Sequence, residues 1–579
     1  MKRSININTI LIAIIFILIL FLGYSMYQAY LDVDERVETH YEYPYAEPVI
    51  ESSIQIPIVD NESVYSNDKD GEVIDVYVTI LQPDSDKYST HDDLLAYKFA
   101  YDSVNKKPAA KAVFQIGDEN GPKQGILSMS PKVANAILEP RGRSTSRSPY
   151  KSYKITLSDK AALWGGQKVL NLNYHPYDKS RVRNKLSFDF YEILPNVASL
   201  RTQFVRLHIK DNSKGTEGEF VDYGLFTHVE QVNKRYLSAH GLDREGQLYK
   251  ANSFEFHRYF DTLKLKTDTD YDQEKFDERL EIRGSDDHSK LLNMLNDLNN
   301  NAIDIDEVIE KHFNRENYLT WLASNIIIGN NDTVSQNFFL YSPQAIENWY
   351  FIPWDCDGAW GWIDEHSLED RNSLYSEWQF GIQNLWGSKL NNRFLRKKEN
   401  VVQLDQKIDE LIRFYNEDQI NHFLSTYYPE VLKSQSKPEA LMRMNSSPEA
   451  FAKAYNLIPS IPQKNYETYE ASKQKPMPFF QNPVEMRDGE AYFSWGNSFD
   501  LQNDQLVYDL EVSTTPDMMN IVYSALGLNE TEAFLKLEKG TYYMRTKVRD
   551  TSGNSMIAFD TYTDLEDVSY FGVLEVQVD

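Results

Sequence analysis

The chain has 579 residues, a length that suits several domains or a few large ones. Hydrophobic residues make up 41% and charged residues 25%, which excludes collagen-like, low-complexity and wholly disordered chains. The formal charge of −27 would repel a phosphate backbone, so broad nucleic-acid binding is excluded and a basic partner would be steered in.

Cys356 is the single cysteine, which rules out an intramolecular disulfide and a Cys-based zinc site. The sequence holds no G-x-x-x-x-G-K-[ST], G-x-S-x-G or H-E-x-x-H, so P-loop, α/β-hydrolase and zincin readings lose their usual support.

In chain order, Lys2 and Arg3 precede an apolar run from Ile10 to Tyr24. At 1.5 Å per residue, about 18 such residues nearly cross a ~30 Å hydrocarbon core. No small-residue cleavage pattern follows, so an uncleaved anchor over residues 1–31 is predicted. The basic dipeptide before it, with Asp32, Asp34 and Glu35 after it, orients the N-terminus inside and the bulk outside. Residues 32–70 are acidic and carry prolines without a sustained period, and they read as a stalk.

Glu72–Ile80 alternates as a β-strand. Further strands are expected at Ala112–Ile116, Ser152–Leu157, Phe204–Ile209 and Leu225–Val229, with helical spacing over Ser180–Leu194 between them. From Phe276 to Gly329 the pattern is helical and ends in the apolar Tyr318–Ile328. A loop Asn330–Gln336, a strand Asn337–Tyr341 and a strand Trp349–Pro353 follow. Asn391–Asn456 is mostly helical. A Pro/Gln/Lys-rich join, residues 466–477, reads as a linker.

The last hundred residues alternate in short strands with turn signals between them, as a β-sandwich does. Trp495 is expected in its core, and Tyr542 or Tyr543 at a tyrosine corner. The segment 478–579 resembles a fibronectin type III domain.

The informative stretch runs from Asn331-Asp332 through Asn337 to Trp354-Asp355-Cys356-Asp357-Gly358. An Asp leaves a helix, an Asn follows five residues later at a strand mouth, and a further strand ends in Asp. Protein kinases use this order: a catalytic Asp accepts the hydroxyl proton, the Asn holds Mg²⁺, and the later Asp holds Mg²⁺ across the phosphates. Magnesium is a hard cation and takes oxygen ligands. By the strand period of two, Asp355 and Asp357 face one side, and Asp357 is either a second ligand or a turn former before Gly358.

Four further motifs carry a family resemblance. They are Arg141-Gly142-Arg143-Ser144 with Lys151-Ser152-Tyr153-Lys154-Ile155, then Asp178–Leu186, then Tyr223–Val232, then Leu248-Tyr249-Lys250. With the Asp332, Asn337 and Asp355 core, the chain resembles the CotH kinase family of spore-coat and secreted proteins over about Glu72–Tyr455. It departs at Arg143, where the family usually has Asn, and at Ser152, often Pro.

The resemblance implies an α+β fold, with an atypical two-lobed kinase domain over 71–465 ahead of the all-β sandwich. It implies ATP- and Mg²⁺- or Mn²⁺-dependent phosphorylation of Ser/Thr on a protein substrate, basic in character by the charge argument. Asp332 is then the catalytic candidate, and Asn337, Asp355 and Asp357 are the metal candidates. Lys151, Lys154, Arg141, Ser144, Glu230 and Trp349 are the nucleotide candidates. Only one of Lys151 and Lys154 is expected to reach phosphate, because they face opposite ways on a strand. Arg183 and Lys185 are expected to pair with carboxylates.

Two rivals stand beside this reading. Asp355-Cys356-Asp357 is a D-x-D, the element by which many glycosyltransferases hold Mn²⁺ and a nucleotide sugar. An anchored ectodomain with a sandwich also suits a non-catalytic adhesion or scaffold protein.

Overall fold

A computed structural model describes residues 55–578, apart from residues 67, 100–105, 124, 126, 128–131 and 366–373. The predicted anchor and most of the predicted stalk lie outside the described residues. Among the described residues, no helix is long and apolar enough to cross a membrane.

The first lobe is built from β1 (Val73–Ile80), β2 (Ala110–Asp118), β3 (Gly121–Pro122), β4 (Ala136–Arg141), β5 (Ser152–Leu157), β6 (Val169–Asn173), β7 (Thr202–Asp211) and β8 (Phe220–Glu230). Their order is β1-β7-β8-β6-β5-β4-β2-β3, and β1 also pairs with β2. That last pairing closes seven strands into a barrel, with β3 a short hairpin extension. Closure leaves no long edge to attract another chain. The alternating residues that face inward, among them Val76, Phe114, Leu138, Ile155, Leu172, Leu207 and Phe226, form its core. Sequence periodicity finds β1, β2, β5, β7 and β8, but not β3, β4, β6 or the closure. The parallel pairing of β1 with β7 and the return of β2 to β1 are long-range contacts.

The helix Arg183–Ile193 joins β6 to β7 and is buried from Arg183 to Tyr191. A helix so enclosed can carry charges only if they are paired. Arg183 bonds Asp178 at 2.5 Å and also pairs with Glu365, and Lys185 lies 2.9 Å from both Asp189 and Asp70.

The second lobe holds the sheet β9 (Gln247–Ala251), β10 (Leu280–Ile282), β11 (Phe338–Ser342) and β12 (Tyr350–Pro353), in the order β10-β9-β11-β12. The helix Arg315–Ile328 packs on β12. Asn317 donates to the Phe351 carbonyl at 3.1 Å and accepts from the Phe351 N–H at 2.6 Å, while Trp321 stacks on Phe351 with centroids 4.3 Å apart.

The terminal strands are β13 (Glu485–Arg487), β14 (Glu490–Ser494), β15 (Val507–Ser513), β16 (Ile521–Leu528), β17 (Glu532–Leu535), β18 (Gly540–Arg549), β19 (Ser555–Ile557), β20 (Thr561–Thr563), β21 (Ser569–Phe571) and β22 (Val573–Val578). The sheet β13-β14-β17 and the sheet β16-β15-β18-β19, with β22 on β18, enclose a core containing Trp495, Tyr508, Leu510 and Met544. The Tyr542 hydroxyl donates to the Glu538 carbonyl at 3.1 Å, the bond that marks a tyrosine corner.

Two boundary expectations are corrected. The predicted linker is mostly the end of a helix, Ile461–Ser472. Pro462 is tolerated in its first turn, where the missing N–H is not needed. Buried Tyr469 donates to Asp405 at 2.8 Å and Asn465 donates to the Ile327 carbonyl at 3.0 Å, so this helix is packed rather than free. The described end of the predicted stalk also lies on the domain. Asp60 pairs with His240 at 2.6 Å, Asp68 with Arg201 at 2.6 Å and Asp70 with Lys185 at 2.9 Å. Acidic residues that read as solvated are therefore the counter-ions of buried cations.

Candidate active site

The helix Arg315–Ile328 starts on Asn314, whose side chain accepts from the Asn317 N–H at 2.9 Å. It stops at Gly329, which adopts a left-handed φ of 67° and donates back to the last turn. A side chain at Gly329 would run into Asn465 at 2.6 Å. This stop delivers the chain into the loop Asn330–Gln336. Three bonds hold that loop: Asn330 to Asn325 at 2.9 Å, Asn384 to the Asn331 carbonyl at 3.0 Å, and the Phe254 N–H to the Ser335 carbonyl at 2.7 Å.

The loop forms one wall of a cleft of ≈ 780 Å³, well within the size of ligand sites. Asp332, Asn337, Trp354, Asp355, Asp357 and Lys250 line the second-lobe side, and Arg141, Ser144, Asn173 and His175 line the barrel rim. His175, Asn337 and Asp355 all have left-handed φ values of 49–61°. Such backbone strain in non-glycine residues clusters where a site is held in a fixed geometry. Asp355 therefore lies beyond the regular alternation of β12, yet it and Asp357 both reach the cleft.

Asp332 sits at the cleft mouth. It accepts from Gln336 at 2.6 Å and from the Asn337 amide at 3.0 Å. Surrounding protein and the charge of Asp357 push its pKa up, against those two bonds. The Asn337 amide oxygen accepts no hydrogen bond among the described residues. Asp357 is held by His175 at 3.0 Å. Burial, and then the neighbouring Asp357, raise Asp355 to about 6, although Arg141, Lys250 and His175 oppose the shift.

The cations of the cleft are pushed the other way. Burial lowers Arg141 to about 10 and Lys250 to about 8, and in each case the charge of Asp355 pulls back. Both cations lie 5.7 Å from the centroid of the Trp354 ring, an arrangement the negative ring face favours. Arg141 also donates to Asn173.

The donor set fits a hard divalent cation. Two carboxylates stand close enough to repel each other, with an amide oxygen nearby, and phosphate oxygens would complete an oxygen shell. Among the described residues, no group of three His, Cys, Asp or Glu could hold a metal by itself, so a metal here would lean on substrate.

Four nucleotide candidates lie elsewhere. Lys151 is buried and caps the turn Ser144–Arg147, donating to the Ser146 carbonyl at 2.5 Å and the Ser148 carbonyl at 2.8 Å. Lys154 faces Glu139 across β4 and β5 and pairs with it at 3.0 Å. Glu230 is buried against His240 at 3.0 Å and the Arg201 N–H at 3.2 Å. Trp349 is fully buried near Tyr249, its strand bridging to Phe313. Lys250 and Trp354 line the cleft, which Lys151 and Trp349 do not. Lys250 belongs to the motif Leu248-Tyr249-Lys250, and Trp354 directly precedes Asp355.

Residues 138–453, more than half of the chain, match the family described as CotH kinase protein. The chain belongs to the CotH family. This CotH-family chain is 25% identical over 350 residues to the inner spore coat protein H of Bacillus subtilis (strain 168), covering 60% of this chain and 91% of that protein. Among solved structures it is similar to a Shewanella oneidensis MR-1 HipA, HipB and operator DNA complex, at 11% identity and a TM-score of 0.24. That match covers 55% of this chain and 66% of the other.

Proposed function

We propose that the protein is an ATP- and divalent-metal-dependent kinase that phosphorylates Ser or Thr on extracytoplasmic or spore-coat-type proteins. In this reading the N-terminal apolar run holds it at a membrane, with the bulk outside. The observation that carries the proposal is the convergence of Asp332, Asn337, Asp355 and Asp357 with Arg141 and Lys250 in one cleft. Phosphoryl transfer asks a protein mainly for positioning and charge stabilisation. This cleft offers a base, an oxygen donor set and two cations that touch no carboxylate among the described residues.

Asp332 takes the proton of the acceptor hydroxyl as that oxygen bonds to the γ-phosphorus. The bond from phosphorus to the bridging oxygen breaks, and ADP leaves with charge that Arg141 and Lys250 offset. The raised pKa of Asp332 favours proton acceptance. Trp354 positions both cations over its ring. Asp355, Asp357 and the Asn337 amide oxygen would hold Mg²⁺ or Mn²⁺, which when bound neutralises phosphate charge. The name of the Bacillus relative is what suggests a spore-coat substrate. The terminal sandwich, with Trp495 in its core and the Tyr542 bond, reads as fibronectin type III-like.

The test is intact-mass analysis of the purified protein with a generic Ser/Thr acceptor, ATP and Mg²⁺ or Mn²⁺. A gain of one phosphate that chelation and Asp355→Ala both abolish is the expected result. No gain with ATP, or a gain only with a nucleotide sugar, would overturn the reading.

A further inference from the structure

On the second lobe lies a pocket of ≈ 450 Å³ whose walls include Lys389, Arg393 and Arg396. The spacing i, i+4, i+7 puts these three on one face of the helix Lys389–Leu395 and its end. In a chain with 87 acidic and 60 basic residues, three clustered cations with no carboxylate in contact among the described residues are unexpected. The Lys389 ammonium donates to the Asn301 amide oxygen at 3.2 Å. Arg393 donates to the carbonyls of Leu298 at 2.6 Å and Ile303 at 2.5 Å. Arg396 donates to Asn392 at 2.9 Å and lies over Trp386 and Phe499 at 5.2 and 4.9 Å. Asp304, the carboxylate on the wall, is taken by Lys397 at 2.7 Å.

Carbonyls and rings fix the positions of these cations without neutralising them. Burial, and for Lys389 the charges of Arg393 and Arg396 as well, push their pKa values down, although the charge of Asp304 pulls Arg393 back. An anion would relieve that repulsion. The Arg396 guanidinium ends and two of the Lys389 protons have no partner among the described residues. Phosphate suits such donors better than a single carboxylate, because it offers more charge and several acceptor oxygens.

The pocket is also tied to the catalytic loop. The Lys389 N–H donates to the Glu255 carbonyl at 2.8 Å, and the neighbouring Phe254 N–H donates to the Ser335 carbonyl at 2.7 Å. We propose that Lys389, Arg393 and Arg396 form a docking site for a phosphorylated segment of the protein acceptor. The site would bind a phosphate already on the polypeptide while another hydroxyl lies at Asp332. This rests on the kinase reading for its purpose but not for its test. The overall negative charge does not forbid it, since at physiological salt charges beyond about 8 Å are largely screened.

The experiment is fluorescence anisotropy on the full chain without ATP, using a labelled peptide carrying two phosphoserines, its unphosphorylated twin, and unlabelled inorganic phosphate as competitor. The wild type should bind the phosphopeptide at least about tenfold more tightly than the twin, and Lys389→Gln with Arg396→Gln should erase that preference. Arg396 packs on two rings, so if the double variant melts early, the reading is taken from Lys389→Gln alone. Equal affinity for both peptides, or an unchanged preference in the variant that keeps its melt, would overturn the site. Displacement by inorganic phosphate at the same concentration as unlabelled phosphopeptide would overturn the polypeptide assignment. Because no ATP is present, loss of phosphotransfer and loss of docking are read separately.

Discussion

Within the helix Arg183–Ile193 both buried cations, Arg183 and Lys185, touch carboxylates, whereas in the cleft Arg141 and Lys250 touch none among the described residues. In the first cluster, burial works to raise Asp178, yet Arg183 and the Ser180 hydroxyl hold it low. Burial likewise opposes the charge of Lys185, yet Asp189 and Asp70 push its pKa up. Burial raises the partner carboxylates Asp189 and Glu365 all the same; what differs in the cleft is that the cations Arg141 and Lys250 are lowered while Asp355 is raised. A contact pair compensates its own desolvation and fixes the fold. Separated charges leave that compensation for a ligand, the pattern expected of a site rather than a scaffold.

Removing one partner from the paired cluster should have the largest effect on stability. Lys185→Met leaves Asp189 and Asp70 without their cation and should cost about 3–5 kcal/mol, read as a fall in the urea midpoint. A loss under about 1 kcal/mol would mean the two clusters do not differ in kind.

Asp355→Asn should act in the opposite direction. The folded pKa of Asp355 lies at about 6, above its ordinary 3.8, so protonation favours the fold. That stabilisation is complete below about pH 4 and is lost as pH rises through about 6. At pH 7 without metal, Asp355→Asn should therefore stabilise the protein by on the order of 2–3 kcal/mol, and at pH 4 it should change little. Destabilisation at pH 7 would place Asp355 with the paired cluster.

Lys250→Met should move stability in the same direction as Asp355→Asn and by a similar amount at pH 7, because burial holds Lys250 at about 8, below its ordinary 10.5. The same variant should weaken ATP binding with Mg²⁺ by at least about tenfold, since a charge-assisted contact is lost. Wild-type affinity by calorimetry would take Lys250 out of the phosphate site.

The legibility of the site in the sequence followed the range of the contacts. Asp332 and Asn337 are five residues apart on one loop, and Asp355 ends the strand paired with the next, so local order brings them together. Trp349 and Trp354 lie at the two ends of one short strand segment, and only the tertiary packing decides that Trp349 is core and Trp354 faces the cleft. Lys151 reads as a phosphate ligand from its motif, but the turn Ser144–Arg147 folds over it and the Ser146 and Ser148 carbonyls occupy its donors. Lys154 was claimed by Glu139 across the strand. The helix Ile461–Ser472 was masked by its composition, since Pro462 and the lysines read as linker while Ile461 and Tyr469 supply the buried face. Barrel closure needed pairings of strands far apart in sequence, which no local pattern records.

Single-turnover transfer by Asp332→Asn, beside ATP binding on the same preparation, tests most directly whether the cleft is built for phosphoryl transfer. Asparagine keeps the turn and the shape but removes the charge. Binding should survive while transfer falls by about 10²–10⁴-fold, or ~3–5 kcal/mol in barrier. Near-normal transfer would contradict the account, because Asp332 would then be a turn former and the cleft would lack its base.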